Sequence, residues 1–187
     1  MLIVGPLGQG VGLAADALAL AAAESGSPVA TADCTRPALG RRACAALVRL
    51  GGAAGASPGA ADLLLAFGMA AAVEARPLLS PTGSGLVLAP ARRSWRLGAA
   101  LDGPLLDGPL FDGPLFDERM RCWPRPASAA VPITGVWTLL GWLSARVALP
   151  QRAWRPALEG SVPRRLSAAA QLAFAQGRAI DGRRRRF

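Results

Sequence analysis

Met1-Leu2-Ile3-Val4-Gly5-Pro6-Leu7-Gly8-Gln9-Gly10-Val11-Gly12 decides the fold: a short apolar run breaks into glycines and then into the alanine-rich stretch Leu13 to Glu24. That order predicts strand, tight loop, helix. Glycines suit the loop because it needs backbone conformations closed to other residues and lets a ligand or neighbouring chain approach the main chain. The helix that follows points unpaired N–H groups and its positive dipole end at whatever lies above the loop, which favours phosphate or carboxylate. A tight connection without a ligand is the plain structural alternative.

Outward from this unit, strands and helices alternate, which predicts a parallel α/β sheet. Leu2 to Val4 reads as the first strand, Gly12 to Glu24 as the first helix, and Pro28 to Ala32 as a second strand ending at Asp33. Ala43 to Leu50 is apolar enough for a third strand. Leu63 to Phe67 lacks polar alternation and reads as a strand buried on both faces. Met69 to Leu79 reads as a helix, Leu86 to Ala89 as a strand, and Arg119 to Trp123 as a weaker strand. The expected architecture is a doubly wound, mostly parallel sheet with helices on both faces, a Rossmann-like three-layer single domain over 1–180. Gly182 to Phe187 forms a basic tail beyond it.

Leu101 to Met120 repeats an Asp-Gly-Pro unit every five residues, the last copy decayed to Phe116-Asp117-Glu118-Arg119-Met120. Asp-Gly-Pro punctuates a chain with turns and forbids a helix, so a low-complexity surface loop is expected. Evenly spaced aspartates do not make a calcium site, which needs about six to eight oxygen ligands at varied offsets.

The 187 residues fit one domain able to bury a core without staples. A net charge of +9 would ordinarily suggest nucleic acid or an anionic membrane. Every basic residue is arginine, however, and lysine, histidine, tyrosine and asparagine are absent. Those missing types have A/T-rich codons, so part of the charge reflects a GC-rich genome. The arginine tail carries no recognition motif, and no specific nucleic acid is expected.

Cys34, Cys44 and Cys122 show no Cys-x-x-Cys spacing, and without histidine they predict reduced thiols, no metal site and a cytoplasmic setting. Val131 to Leu149 is the most membrane-like window. It holds Pro132, Ser144 and Arg146, and its clean apolar core is too short to span ~30 Å of hydrocarbon, so no membrane insertion is expected. Trp137, Leu140, Trp142 and Leu143 make this helix apolar on more than one face, as a helix packed on both sides is. Core burial explains that equally well.

Gly8-Gln9-Gly10-Val11, then Gly59-Ala60-Ala61-Asp62-Leu63-Leu64-Leu65-Ala66-Phe67, Leu78-Leu79-Ser80-Pro81-Thr82-Gly83 and Leu86-Val87-Leu88-Ala89 come in a telling order and spacing. In these the chain resembles the gamma subunit or domain of 2-oxoacid:ferredoxin oxidoreductases, with the beta subunit of indolepyruvate oxidoreductase the nearest look. The tail is similar too: Ile133 to Leu149 as a penultimate helix, Pro150-Gln151-Arg152-Ala153-Trp154 as a turn, and Val162-Pro163 through Gly177-Arg178 as a last helix. Two departures stand out. Leu7 precedes Gly8 where relatives carry two glycines before the glutamine. Arg36-Pro37-Ala38-Leu39-Gly40-Arg41-Arg42 replaces a Gly-Met-x-Gln-Arg-Gly-Gly segment.

The resemblance implies a subunit of a pyruvate- or indolepyruvate-type complex that oxidatively decarboxylates 2-oxoacids, with ferredoxin as electron acceptor and coenzyme A as a possible co-substrate. Thiamine diphosphate and the iron–sulfur clusters are expected on partner chains, the first on an alpha-type subunit, and ferredoxin is reached only indirectly. This chain has no asparagine for a thiamine signature, three cysteines where a cluster wants four, and no histidine as general base. It is therefore expected to carry no cofactor and no catalytic residue, and not to be catalytic alone. Gly5, Gly8, Gln9, Gly10, Val11 and Gly12 are the candidate anion or interface loop, with Arg41 and Arg42 as further anion contacts. Two rivals remain: a diverged binding or assembly module, and a stand-alone dinucleotide-binding oxidoreductase. In the second, Asp33 would take the ribose hydroxyls, although the glycines run Gly5-x-x-Gly8-x-Gly10.

Overall fold

A computed structural model describes residues 1–33, 43–51, 61–89, 120–124 and 132–180. The Asp-Gly-Pro repeat, the Arg36–Arg42 segment and the basic tail lie outside the described residues. Six strands form one sheet: β1 (Leu2–Pro6), β2 (Val29–Asp33), β3 (Ala43–Leu50), β4 (Ala61–Ala66), β5 (Leu79–Ala89) and β6 (Met120–Pro124), in the order β2-β3-β1-β4-β5-β6. The pairs β1–β4, β4–β5 and β5–β6 are parallel, whereas β3 runs antiparallel to both β1 and β2. The mostly parallel expectation therefore holds, with β3 as the reversed strand. The reason lies in the chain: only residues 34–42 separate β2 from β3, and a parallel crossover needs about a dozen or more.

Among the described residues five helices cover the sheet: α1 (Val11–Glu24), α2 (Met69–Ala75), α3 (Pro132–Ser144), α4 (Trp154–Ser161) and α5 (Ser167–Arg178). Alternate residues of the central strands face opposite layers. Ile3, Leu65, Leu86 and Leu88 pack with α1, α3, α4 and α5, while Leu2, Val4, Leu64, Ala66 and Val87 pack with α2. Burial on both faces is why Leu63 to Phe67 shows no polar alternation.

α1 lies close to the sheet because its buried residues are mostly alanine. It ends in a Schellman motif: Gly26 takes φ +70°, Gly26 N–H donates to the Ala23 carbonyl, and Ser27 N–H donates to the Ala22 carbonyl, both at 2.9 Å. The helix expected over Met69 to Leu79 is shorter, closing as α2 at Ala75 and a 3-10 turn at Arg76–Leu78. β5 is correspondingly longer. Its register against β4 jumps between Ala61↔Leu79 and Leu63↔Ser84, and Pro81, with no N–H to donate, falls inside that irregularity.

The penultimate helix also stops early, at Ser144 rather than Leu149. Two arginines meet its C-terminus: Arg146 donates to the Trp142 carbonyl at 3.4 Å with its guanidinium carbon 3.8 Å from the Trp142 ring centre, and Arg178 donates to Ser144 Oγ at 3.0 Å. Cations are favoured there by the exposed carbonyls and the helix dipole. α4, which the sequence analysis did not assign, has Pro156 in its first turn, where a proline gives up an N–H that has no helical partner anyway.

Trp137, Leu140, Trp142 and Leu143 are all buried within this chain. The all-round apolar character of α3 is thus satisfied internally. Phe174 of α5 sits between two indoles, 6.2 Å from Trp137 and 5.7 Å from Trp154. The two helices touch main chain to main chain. A Cβ on Gly141 would collide with the Phe174 carbonyl oxygen, and one on Gly177 with the Thr138 carbonyl oxygen. No described helix is long and apolar enough to cross a membrane.

This contact yields a paired expectation. Gly141→Ala forces apart two helices that cannot separate without opening the Trp137/Phe174 layer, and should cost about 2–3 kcal/mol. Gly160→Ala in α4 meets only Leu20 Cδ2 at 3.9 Å and should stabilise by about 0.5–1 kcal/mol. Urea unfolding of both variants reads the opposite signs.

Candidate functional site

At the carboxyl end of β1 the chain turns through Pro6 to Gly10 before entering α1. Gln9 N–H donates to the Pro6 carbonyl at 3.2 Å, while Gly8 and Gly10 take φ +79° and +93°, backbone that side chains rarely tolerate. Gly10 is the N-cap and no side chain caps the helix. Its carbonyl accepts from Ala14 N–H at 2.9 Å, so the N–H groups of Val11, Gly12 and Leu13 have no helical acceptor.

Around this loop stand the other elements that end at the same edge. Phe67 and Gly68 close β4, Gly68 with φ +113°, and Phe67 N–H donates to the Val4 carbonyl at 2.8 Å. Ala43, the first residue of β3, pairs with Pro6, and the Cys44 thiol donates to the Gly5 carbonyl at 3.5 Å. The first turns of α3 arrive from above. A Cβ on Gly10 would lie 2.5 Å from Val136 Cγ2, and one on Gly135 would lie 3.0 Å from Leu88 Cδ1. Here α1 and α2 depart to opposite faces of the sheet from the adjacent strands β1 and β4. In open α/β sheets that switch point is where ligands bind.

The six loop candidates divide into two groups. Gly5 and Val11 are buried, and Gly5 is glycine because a Cβ would come 2.7 Å from Phe67 Cβ and 3.2 Å from Val11 Cγ2. Gly10 likewise makes room for Val136. Gly8 and Gly12 are exposed with nothing within 4 Å of an added Cβ, and half-buried Gln9 sits between the two groups. Sequence reasoning placed all six in one role, because glycine needed for packing and glycine needed for access look alike in a string. Leu7, noted only as a departure, is 65% exposed at the loop tip.

Arg41 and Arg42 lie outside the described residues. Asp33 ends β2, and β3 stands between β2 and β1, so its main chain is two strand spacings, about 10 Å, from the strand that carries the glycine loop. A dinucleotide site of the usual kind has its acidic residue on the neighbouring strand.

The donor set does not fit thiamine diphosphate chemistry or a cluster. The chain lacks asparagine and histidine, and among the described residues no group of three or more His, Cys, Asp or Glu side chains is placed to hold a metal ion. What the site can offer is main-chain donors and a small apolar tip. At the opposite edge a cavity of about 260 Å³ is lined by Met1, Leu47, Arg49, Asp62, Leu63 and Val147. Burial pushes the Met1 ammonium below its usual range, with Asp62 partly opposing.

No family model matches the sequence, and no curated protein matches it. Solved structures share its fold. The gamma subunit of a keto/oxoacid ferredoxin oxidoreductase from Geobacter sulfurreducens superposes with a TM-score of 0.65 at 20% identity, covering 94% of each chain. The subunit PORC of pyruvate oxidoreductase from Thermotoga maritima gives 0.60 at 19% identity, over 95% of this chain and 94% of that one. A 2-oxoglutarate:ferredoxin oxidoreductase from Magnetococcus marinus, solved with 2-oxoglutarate, coenzyme A and succinyl-CoA bound, gives 0.65 at 17% identity. It covers 97% of this chain, which spans only 30% of that one.

The two loop glycines with positive φ should separate on mutation. Gly8→Ala carries backbone strain alone, about 1 kcal/mol. Gly10→Ala adds the Val136 clash and should cost about 3 kcal/mol. In a Val136→Ala background that excess should shrink toward the Gly8 value, a coupling that a double-mutant cycle in urea measures.

Proposed function

We propose that this chain is the gamma-type, cofactor-free subunit of a 2-oxoacid:ferredoxin oxidoreductase complex, with thiamine diphosphate and clusters carried by partner subunits. The observation that carries the reading is the shared fold over 94% of both this chain and a gamma subunit of that kind. The Gly8-Gln9-Gly10 loop at the carboxyl edge of the sheet agrees with it. In this reading the complex decarboxylates a pyruvate- or indolepyruvate-type substrate, and this chain supplies binding and positioning rather than bond-breaking groups. With no histidine, lysine or tyrosine in the chain, proton transfer falls to the partners.

The free N–H groups of Val11, Gly12 and Leu13 then receive an anion, such as a phosphate of coenzyme A, and Gln9 donates an amide hydrogen bond across the subunit boundary. Arg42 is bonded to Ala43, the residue opposite Pro6. Arg41 and Arg42 are the further anion contacts in this reading, since an arginine fork grips a carboxylate or phosphate bidentately. The divergence of Arg36 to Arg42 from the family pattern implies altered or weak 2-oxoacid turnover.

The test is reconstitution with the thiamine-binding subunit. Co-purification in fixed stoichiometry, with no iron absorbance in the isolated chain, is the expected result; failure to associate overturns the reading. Gly12→Asp probes the loop without harming the fold. Gly12 has open space around it, and a carboxylate in the first turn should raise stability by about 0.5–1 kcal/mol. The same charge should weaken coenzyme A binding by about 10-fold or more. Replacing Arg41 and Arg42 together by alanine should lower turnover of pyruvate, branched-chain and aryl 2-oxoacids with a viologen acceptor. Unchanged turnover removes those arginines from the site.

A further inference from the structure

Two crossovers between parallel strands pass through a described helix, and they obey one rule. From β4 the chain runs through α2 to β5, the next strand away from β1, and α2 lies on the face of Leu64, Ala66 and Val87. From β1 it runs through α1 to β2 in the opposite direction across the sheet, and α1 lies on the opposite face. Both therefore have the same hand, which is right-handed in nearly all parallel crossovers. β5 and β6 are parallel neighbours too, paired from Gly85↔Met120 to Ala89↔Pro124, and the step between them continues the direction from β4 to β5. The α2 face is also the thinly covered one. α1, α3, α4 and α5 stand on the other side, whereas the described cover here is α2 and the 3-10 turn after it. α2 has seven residues, about 10 Å of helix, and packs on β1, β4 and β5. The six-stranded sheet is about 24 Å wide. Met120 of the edge strand β6 is nonetheless only 7% exposed on this face.

We propose that the Asp-Gly-Pro repeat docks on this face: residues 101–117 cross the α2 side of β5 and β6, with the pairs Leu105-Leu106, Leu110-Phe111 and Leu115-Phe116 against the sheet and the Asp-Gly-Pro turns toward solvent. Handedness selects the face, because a right-handed step from β5 to β6 carries the chain across the side on which α2 lies. Length and ends select the occupant. Residues 90–119 leave the carboxyl end of β5 and return at the amino end of β6, five paired residues or about 17 Å back, so the segment far exceeds a bare link. Its composition agrees. Each five-residue unit brings two large apolar side chains between turns, a spacing that a solvated link does not need. A second copy or a partner subunit would have to displace a segment tethered at both ends of the same face, where its effective concentration is high. The repeat thus continues, as a series of turns, the layer that α2 begins as a helix.

The experiment compares the full chain with Leu110→Asp/Phe111→Asp, with Asp107→Ser/Asp112→Ser, and with a chain whose residues 101–117 are replaced by a Gly/Ser sequence of equal length. Thermal melting and hydrogen exchange read by mass spectrometry are measured on each. Leu110→Asp/Phe111→Asp should melt about 5 °C or more below wild type. Its faster exchange should be confined to α2, β5 and β6, with α1, α3 and α5 as protected as before. Asp107→Ser/Asp112→Ser should match wild type in both measurements. The Gly/Ser chain should lose protection in the same three elements and bind anilinonaphthalene sulfonate; its failure to fold, while the aspartate variant folds, also supports a structural role for the repeat. Wild-type melting and exchange in both the apolar double variant and the Gly/Ser chain make the repeat a solvated loop and overturn the proposal. Protection lost on the α1 side instead overturns the choice of face. Normal melting of Leu110→Asp/Phe111→Asp with lost binding to the thiamine-binding subunit gives the apolar pairs to a partner, and overturns the proposal as well.

Discussion

The absence of a side chain at Gly10 lets the first turns of α3 close over the end of the central strand, with Val136 occupying the space a Cβ would fill. Much else depends on that approach. α3 carries the tryptophans of the main core, and it can sit against α5 only because Gly141 and Gly177 let the two main chains touch. Three glycines, far apart in sequence, thus set how the C-terminal helices lie on the sheet and where the N-termini of α1 and α3 converge. Removing Cβ costs chain entropy at each position, and the close-packed layer of Trp137, Trp154 and Phe174 is what offsets it.

Arginine plays two parts in this chain, and net charge alone conflates them. Arg146 stacks on Trp142 and bonds its carbonyl, and Arg178 bonds Ser144, so both finish the C-terminus of α3. The guanidinium's flat face and fixed donors suit that role better than an ammonium would. Arg164 and Arg165 are exposed at the surface. The basic composition serves helix capping at some positions and is left as surface charge at others.

At the glycine loop the chemistry is that of the main chain. The loop has no proton donor or acceptor of suitable pKa, and its donors are N–H groups left over at a helix start. Such a site can hold an anion or meet a neighbouring backbone.

The alternation of apolar runs with glycine breaks determined the layered α/β fold and the position of the first loop, because strand burial and turn chemistry are written in local residue types. Leu63 to Phe67 announced its burial on both faces, and the nine residues between Asp33 and Ala43 are too few for a parallel crossover. Pro81 falls within the irregular register of the long strand β5, and Pro156 within the first turn of α4, places where a missing N–H is tolerated though local pattern alone does not reveal it. Only the tertiary structure could divide the glycines: Gly5, Gly10, Gly141 and Gly177 make room for Phe67, Val136 and each other's helices, whereas Gly8 and Gly12 face open space. It also decided that Asp33 stands two strands from the loop and that α3 is buried by its own chain. These are contacts between residues distant in sequence, and no local composition encodes which partner a missing side chain is missing for.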